Sequence, residues 1–167
     1  KIRISVNMSQ DQLFKTDVVA SIRKALDETG FDPSQLEVEL TETMAMQDID
    51  RTIEILKEIR SMGVFVSMDD FGTGYSSLSA LKLLPVDILK IDRSLICDIC
   101  ISTTSYNIIK AIVEMGKALN LEVLAEGIET EEQSEILRSL GCHIAQGYFY
   151  SKPLSASDME KMLIEQS

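Results

Sequence analysis

Val64-Phe65-Val66-Ser67-Met68-Asp69-Asp70-Phe71-Gly72-Thr73-Gly74 reads as a strand that runs into paired acids and then a glycine turn. Side chains alternate along a strand, so Ser67 and Asp69 share one face. The same parity recurs elsewhere. Arg3, Ser5 and Asn7 oppose Ile2, Ile4 and Val6, and Glu37 and Glu39 oppose Leu36, Val38 and Leu40. Lys90 shares a face with Asp92, and Glu122 with Glu126. A sheet covered by helices on both sides should be apolar on both faces. Here one face turns polar toward the C-terminal ends of the strands. That pattern favours a barrel whose interior leads up to a polar rim over an open doubly wound sheet, the other architecture that β-then-α alternation allows.

Strand signals fall at Arg3 to Asn7, Leu36 to Leu40, Val64 to Met68, Asp87 to Ile91, Glu122 to Ala125 and Cys142 to Gln146. Helical signals lie between them. Ile49, Ile53, Leu56 and Ile59 form one face of a helix that stops at Gly63. Thr130 to Gln133 is a capping box before an apolar run ending at Gly141, Gly30 closes the first helix, and Ser157 to Glu160 begins a last amphipathic one. The expected fold class is α/β, a TIM-like (β/α) barrel. Such a barrel takes about 250 residues and eight strands. About six β-α units are present here, so the barrel is expected to be incomplete, with its front absent from these residues.

The 167 residues suit one domain, and 45% hydrophobic with 26% charged residues is a globular composition. A net charge of −11 speaks against a nucleic-acid polymer as partner, which would need a basic face. It leaves room for a small phosphate ligand held through a metal. No apolar run approaches the ~20 residues of a membrane span, and Lys1 to Val6 lacks the apolar core of a signal peptide. No membrane contact by this segment and a cytoplasmic location are therefore expected. Cys97, Cys100 and Cys142 are an odd number, which implies no disulfide framework.

Chemistry-bearing side chains gather at the strand ends: Asn7, Glu39 and Glu42, Asp69 and Asp70, Lys90 and Asp92, Glu126 and Glu129, and Gln146. Converging carboxylate and amide oxygens suit Mg²⁺ or Mn²⁺ rather than zinc. Adjacent aspartates repel unless cations lie beside them, so Asp69 and Asp70 could serve two ions. Paired ions are one solution for phosphodiester hydrolysis. Lys90 could hold a phosphate oxygen or the attacking water. The competing account is that acids at strand ends cap the next helix. It fits Asp92 before Arg93-Ser94, but not a whole set of inward-parity residues. Cys97-x-x-Cys100 has no second pair to complete a zinc site, and Cys142, Met44, Met46, Met62 and Met115 read as core packing. Tyr148 and Tyr150 read either as a stacking surface for a base or as packing.

Val6-Asn7-Met8-Ser9, Glu39-Leu40-Thr41-Glu42, Asp69 to Leu78, Lys90-Ile91-Asp92, Ala125-Glu126-Gly127-Ile128-Glu129 and Gln146-Gly147-Tyr148 occur in that order. The series resembles the EAL family of bacterial cyclic di-GMP phosphodiesterases over essentially the whole chain, which would make residues 1–167 the C-terminal portion of such a domain. The resemblance implies hydrolysis of cyclic di-GMP to linear pGpG with Mg²⁺ or Mn²⁺. It implies Asn7, Glu39, Asp69 and Glu126 as ligands of one ion and Asp70 of a second. Lys90 would lie near the hydrolytic water, and Glu42 would anchor the loop that holds the paired aspartates. Glu129 and Gln146 would support metal and substrate, with Asp92 and Tyr148 on the substrate side. It also implies a homodimer formed through the Phe71 to Tyr75 loop and its following helix, and an upstream sensor or GGDEF domain.

The chain departs from the family at one point. The Glu-Ala-Leu signature and its arginine, a metal ligand and a phosphate contact in the family, do not occur in these 167 residues. A chain beginning at Lys1 would expose open sheet edges and is expected to hydrolyse weakly or not at all. The alternative function is then a truncated or degenerate EAL domain that binds cyclic di-GMP or a protein partner without catalysis, and a weaker one is a purely structural dimerisation module. Calorimetry with cyclic di-GMP, with and without divalent ions, separates these.

Overall fold

The computed structural model describes residues 2–72 and 78–165. Six strands, β1 (Ile4–Asn7), β2 (Leu36–Thr41), β3 (Phe65–Phe71), β4 (Ile88–Ile91), β5 (Glu122–Ala125) and β6 (Ile144–Ala145), form one sheet in chain order. Every neighbouring pair is parallel. The helices are α1 (Gln10–Lys15), α2 (Val18–Thr29), α3 (Glu42–Gln47), α4 (Ile49–Ser61), α5 (Leu78–Leu81), α6 (Arg93–Ile96), α7 (Thr103–Ala118), α8 (Glu131–Leu140) and α9 (Ala156–Glu165). None of the described helices is long and apolar enough to cross a membrane.

The sheet is strongly curled. Four strand spacings separate β1 from β5, about 19 Å along a flat sheet, yet Nη1 of Arg3, just before the first strand, lies 3.3 Å from Glu122 Oε2 on the fifth. The same nitrogen reaches Glu37 Oε2 at 3.4 Å, and the guanidinium stacks 3.8 Å from the centre of the Phe65 ring. Curling thus brings one face of the strands together as an interior, the half-barrel that the strand parity predicts. Its N-terminal end is charged as well, a feature the sequence pattern assigned only to the C-terminal end. On the outer face, Val66, Met68, Leu89, Ile91, Val123 and Ala125 are buried with Leu56, Ile59, Ile109 and Val113 of the flanking helices. Cys142 and Met44 belong to this core, and Met46, Met62 and Met115 pack against it.

The expected punctuation is present. Gly30 and Gly141 close α2 and α8 in the left-handed conformation. The short helices α1, α3, α5 and α6 carry too few turns to show a periodic apolar stripe, which is why the pattern alone did not reveal them. The sixth strand is shorter than Cys142 to Gln146 because Cys142 is taken up in the end of α8, donating its N–H to Leu137 O at 3.0 Å. At Thr130 the capping box is complete, with Oγ1 accepting from Gln133 N at 3.3 Å while Gln133 Oε1 accepts from Thr130 N at 3.1 Å. Thr130→Ala is expected to lower stability by about 1 kcal/mol, measured by urea unfolding. An unchanged midpoint would show that the cap contributes nothing.

Candidate functional site

A bulge in β3 builds the centre of the site. Met68 pairs with Leu89 and Phe71 with Ile91, so Asp69 and Asp70 together stand opposite the single residue Lys90. An extra residue bends a strand and re-aims its side chains. Asp70 absorbs the distortion with φ +56°, a left-handed conformation that asparagine and aspartate tolerate better than most.

Lys90 is buried, with 3% of its side chain exposed. Its Nζ lies 2.7 Å from Glu126 Oε1, 2.9 Å from Glu39 Oε1 and 3.4 Å from Asp69 Oδ1. These carboxylates come from β2, β3 and the residue after β5, so the one ammonium ties four strands together. Burial alone would lower the lysine pKa. Hydrogen bonds to Glu126 and Glu39 and the charges of Glu126 and Asp69 outweigh it, and hold the group above the ordinary lysine range. Burial pushes the Glu126 carboxyl up, and Asp69 and Glu39 add to the rise while Lys90 opposes it. Burial also raises Asp70, reinforced by the charges of Asp69 and Asp92. The mouth is therefore short of positive charge.

The remaining residues lie around this centre at different depths. Asn7 is exposed on β1, in register with Glu39. Glu42 opens α3 and is buried, and its Oε2 has no hydrogen-bond partner among the described residues. The loop it was expected to anchor lies largely at 73–77, outside the described residues. Asp92 caps α6, its Oδ1 accepting from Ser94 N at 2.9 Å. Burial works to raise its pKa, but the hydrogen bonds from Ser94 and Arg93 and the Arg93 charge hold it below the usual range. The capping account of Asp92 is thus correct in geometry, while its charge still faces Asp70.

At the rim, Arg93, Glu126, Glu129, Gln146 and Tyr148 line a cleft of about 220 Å³. Glu129 pairs with Arg93, and Tyr148 is largely exposed. Gln146 is fixed by its backbone, donating to Ala125 O at 2.9 Å and accepting from Ile128 N at 3.1 Å. Tyr150 is turned from the cleft to Ser134, their hydroxyls 2.8 Å apart. A methyl group on Gly147 would come within 2.2 Å of the Ile128 backbone. Gly147→Ala is accordingly expected to cost roughly 1–3 kcal/mol and to loosen the rim. Denaturant unfolding checks this, and a neutral result would show that the two segments can part freely.

Sequence reasoning missed Arg93 and the Arg3–Glu37–Glu122 cluster. Arg93 carries no parity signal because it begins a helix, and Arg3 and Glu122 meet only because the sheet curls. Among the described residues no group of three or more His, Cys, Asp or Glu side chains stands arranged to hold a metal ion. The carboxylates are instead drawn onto Lys90. The donor set nonetheless fits a hard divalent cation: all its donors are oxygens, and three carboxylates around one ammonium leave an excess of negative charge.

Residues 1–153 match the EAL domain family. The chain is 44% identical over 163 residues to the cyclic di-GMP phosphodiesterase NbdA of Pseudomonas aeruginosa, covering 98% of this chain and 21% of that protein. It spans about a fifth of the length of the curated relatives it matches. A structure of the Pseudomonas aeruginosa MucR phosphodiesterase in complex with c-di-GMP superposes with a TM-score of 0.90 at 44% identity, over 94% of this chain and 64% of that one. A manganese and cyclic di-GMP complex of Klebsiella pneumoniae BlrP1 gives 0.84 at 35% identity, over 90% and 39%. With its six parallel strands curled around an acid-lined interior and its sequence matched from the first strand past the last, the chain belongs to the EAL domain family.

Proposed function

We propose that this chain is the C-terminal portion of a cytoplasmic EAL domain that hydrolyses cyclic di-GMP to linear pGpG with a divalent cation, Mg²⁺ or Mn²⁺. The observation that carries the reading is the convergence of Glu39, Asp69 and Glu126 from separate strands on one buried ammonium. NbdA, named as a cyclic di-GMP phosphodiesterase, MucR, named as a bifunctional diguanylate cyclase and cyclic di-GMP phosphodiesterase, and the BlrP1 complex, which holds both manganese and cyclic di-GMP, support it.

Glu39, Asp69, Glu126 and Asn7 would hold one cation and Asp70 a second. Bound there, the cations would supply Lewis-acid activation of water and charge stabilisation at phosphorus. Lys90 stays protonated and orients the attacking water or a non-bridging phosphate oxygen by hydrogen bonding. Water oxygen forms the new P–O bond as the bond to a ribose 3′ oxygen breaks, and that oxygen leaves with a proton. Glu42 and Glu129 brace the loops that carry these groups. Gln146, Tyr148 and Asp92 face the substrate from the rim. A homodimer, with an upstream sensor or GGDEF domain, completes the proposal.

The test is chromatographic. The full-length protein with Mn²⁺ is expected to convert cyclic di-GMP to pGpG as the sole first product, and a chelator should abolish the conversion. Persistence of the activity after chelation would overturn the metal assignment, and intact substrate in every metal would overturn the phosphodiesterase reading.

A further inference from the structure

We propose that Arg93 is a positioning residue that fixes the loop between β5 and α8, and through it Glu126 and Glu129; its catalytic consequence rests on the phosphodiesterase reading above. Arg93 starts α6, where the cap on Asp92 and the bond from Cys97 N to Arg93 O at 3.0 Å hold its backbone. Its guanidinium pairs with Glu129 Oε1. An ion pair at this exposure is by itself a weak tether. The stem supplies what the charge lacks. Gly127 has φ +72°, and a Cβ there would lie 2.3 Å from Arg93 Cγ, 2.5 Å from its Cβ and 2.8 Å from its Cδ. The Arg93 Cβ is fixed by the helix backbone, so rotating the arginine side chain alone would not make room for a side chain at 127.

Gly127 therefore leaves room for the stem of Arg93 to lie flat across the loop. On one side of Gly127 is Glu126, which bonds Lys90; two residues on the other side is Glu129, held at its own N–H by Gln133 Oε1 at 2.8 Å. The loop's far side is pinned to the segment that follows β6 by Ile128 N donating to Gln146 O at 3.1 Å and Phe149 N to Ile128 O at 3.0 Å. The loop is thus clasped between Arg93 on the α6 side and residues 146–149 on the other. Arg93 links the strand that carries Lys90 to the loop that carries its shortest carboxylate partner.

The test is Arg93→Ala, which removes stem and fork together, beside Arg93→Met, which keeps a stem and removes only the fork, in the full-length protein. Amide exchange at Ile128, which needs neither substrate nor metal, is expected to accelerate about tenfold in Arg93→Ala and clearly less in Arg93→Met. Exchange at Val66 and Leu89 should stay unchanged, showing that the fold is retained. In turnover of cyclic di-GMP with Mn²⁺, kcat of Arg93→Ala should fall about tenfold with KM held within about twofold, and Arg93→Met, which keeps a stem, should recover most of both effects. Unaltered exchange at Ile128 would overturn the proposal. So would a raised KM with kcat unchanged, which would make Arg93 a substrate contact instead. If the unsubstituted protein does not cut cyclic di-GMP, the phosphodiesterase reading falls, while the exchange measurement still decides the role of Arg93.

Discussion

Lys90→Met is expected to cost the metal-free chain about 3–5 kcal/mol and to abolish turnover. Methionine replaces the volume of the lysine stem, so packing is not the main loss. What disappears is the positive charge that Glu126, Glu39 and Asp69 share within 3.4 Å. Removing one partner of a buried ion pair leaves its counterpart charged and poorly solvated, and here the counterparts are three. The Glu126 carboxyl, already pushed up by burial, then loses the one charge that opposes the rise, so the destabilisation is greatest at neutral pH and above and shrinks as pH falls through the carboxylate range. Wild type runs the other way for Lys90. Its raised pKa gives stability that is complete below the unfolded lysine value and is lost only as pH rises through the folded one. Urea unfolding of both chains from pH 4 to pH 8 measures the difference. A Lys90→Met chain within about 0.5 kcal/mol of wild type at pH 7 would mean that the carboxylates do not depend on the ammonium.

Much of this centre was legible in the sequence because parity is a strong signal on a half-buried strand. Glu39, Asp69 and Lys90 lie on inward-facing positions of their own strands, and each was placed there by alternation alone. Asp70 is where alternation stops informing. It has the opposite parity to Asp69, and only the bulge, seen in the register shift between Met68 and Phe71, brings both acids opposite Lys90. A bulge adds one residue without a sequence mark of its own, and the nearest hint was the unusual pair of acids before Phe71-Gly72. Arg93 was illegible for another reason. Its role is set by the space above Gly127, a property of two loops that meet in three dimensions. The polar N-terminal end of the interior was half legible: Glu37 and Arg3 had the right parity, but their meeting with Glu122 required the curl. Asn7 shows the limit at an edge strand, where the inward parity is correct and the side chain remains exposed.

Asp70→Asn is expected to move stability and activity in opposite directions. The carboxyl of Asp70 is pushed up by burial and by the charges of Asp69 and Asp92, so its ionised form is disfavoured in the fold. Asparagine keeps the size, removes the charge, and accepts the left-handed backbone at φ +56° as well as aspartate does. A gain of no more than about 0.5 kcal/mol is expected in the metal-free chain, because the site is only partly buried and solvent screens the neighbouring charges. The sign can be checked against pH. An acid whose folded pKa is raised makes wild type less stable as pH rises through its titration, so the advantage of asparagine should grow from pH 4 toward pH 7. Turnover should nonetheless fall roughly 100-fold or more, because the amide is a poor substitute for a carboxylate at a second divalent ion. The two measurements separate a charge kept for function from one kept for the fold. A variant that is both less stable and fully active would place Asp70 among the structural residues, and the bulge in β3 would then be explained by packing alone.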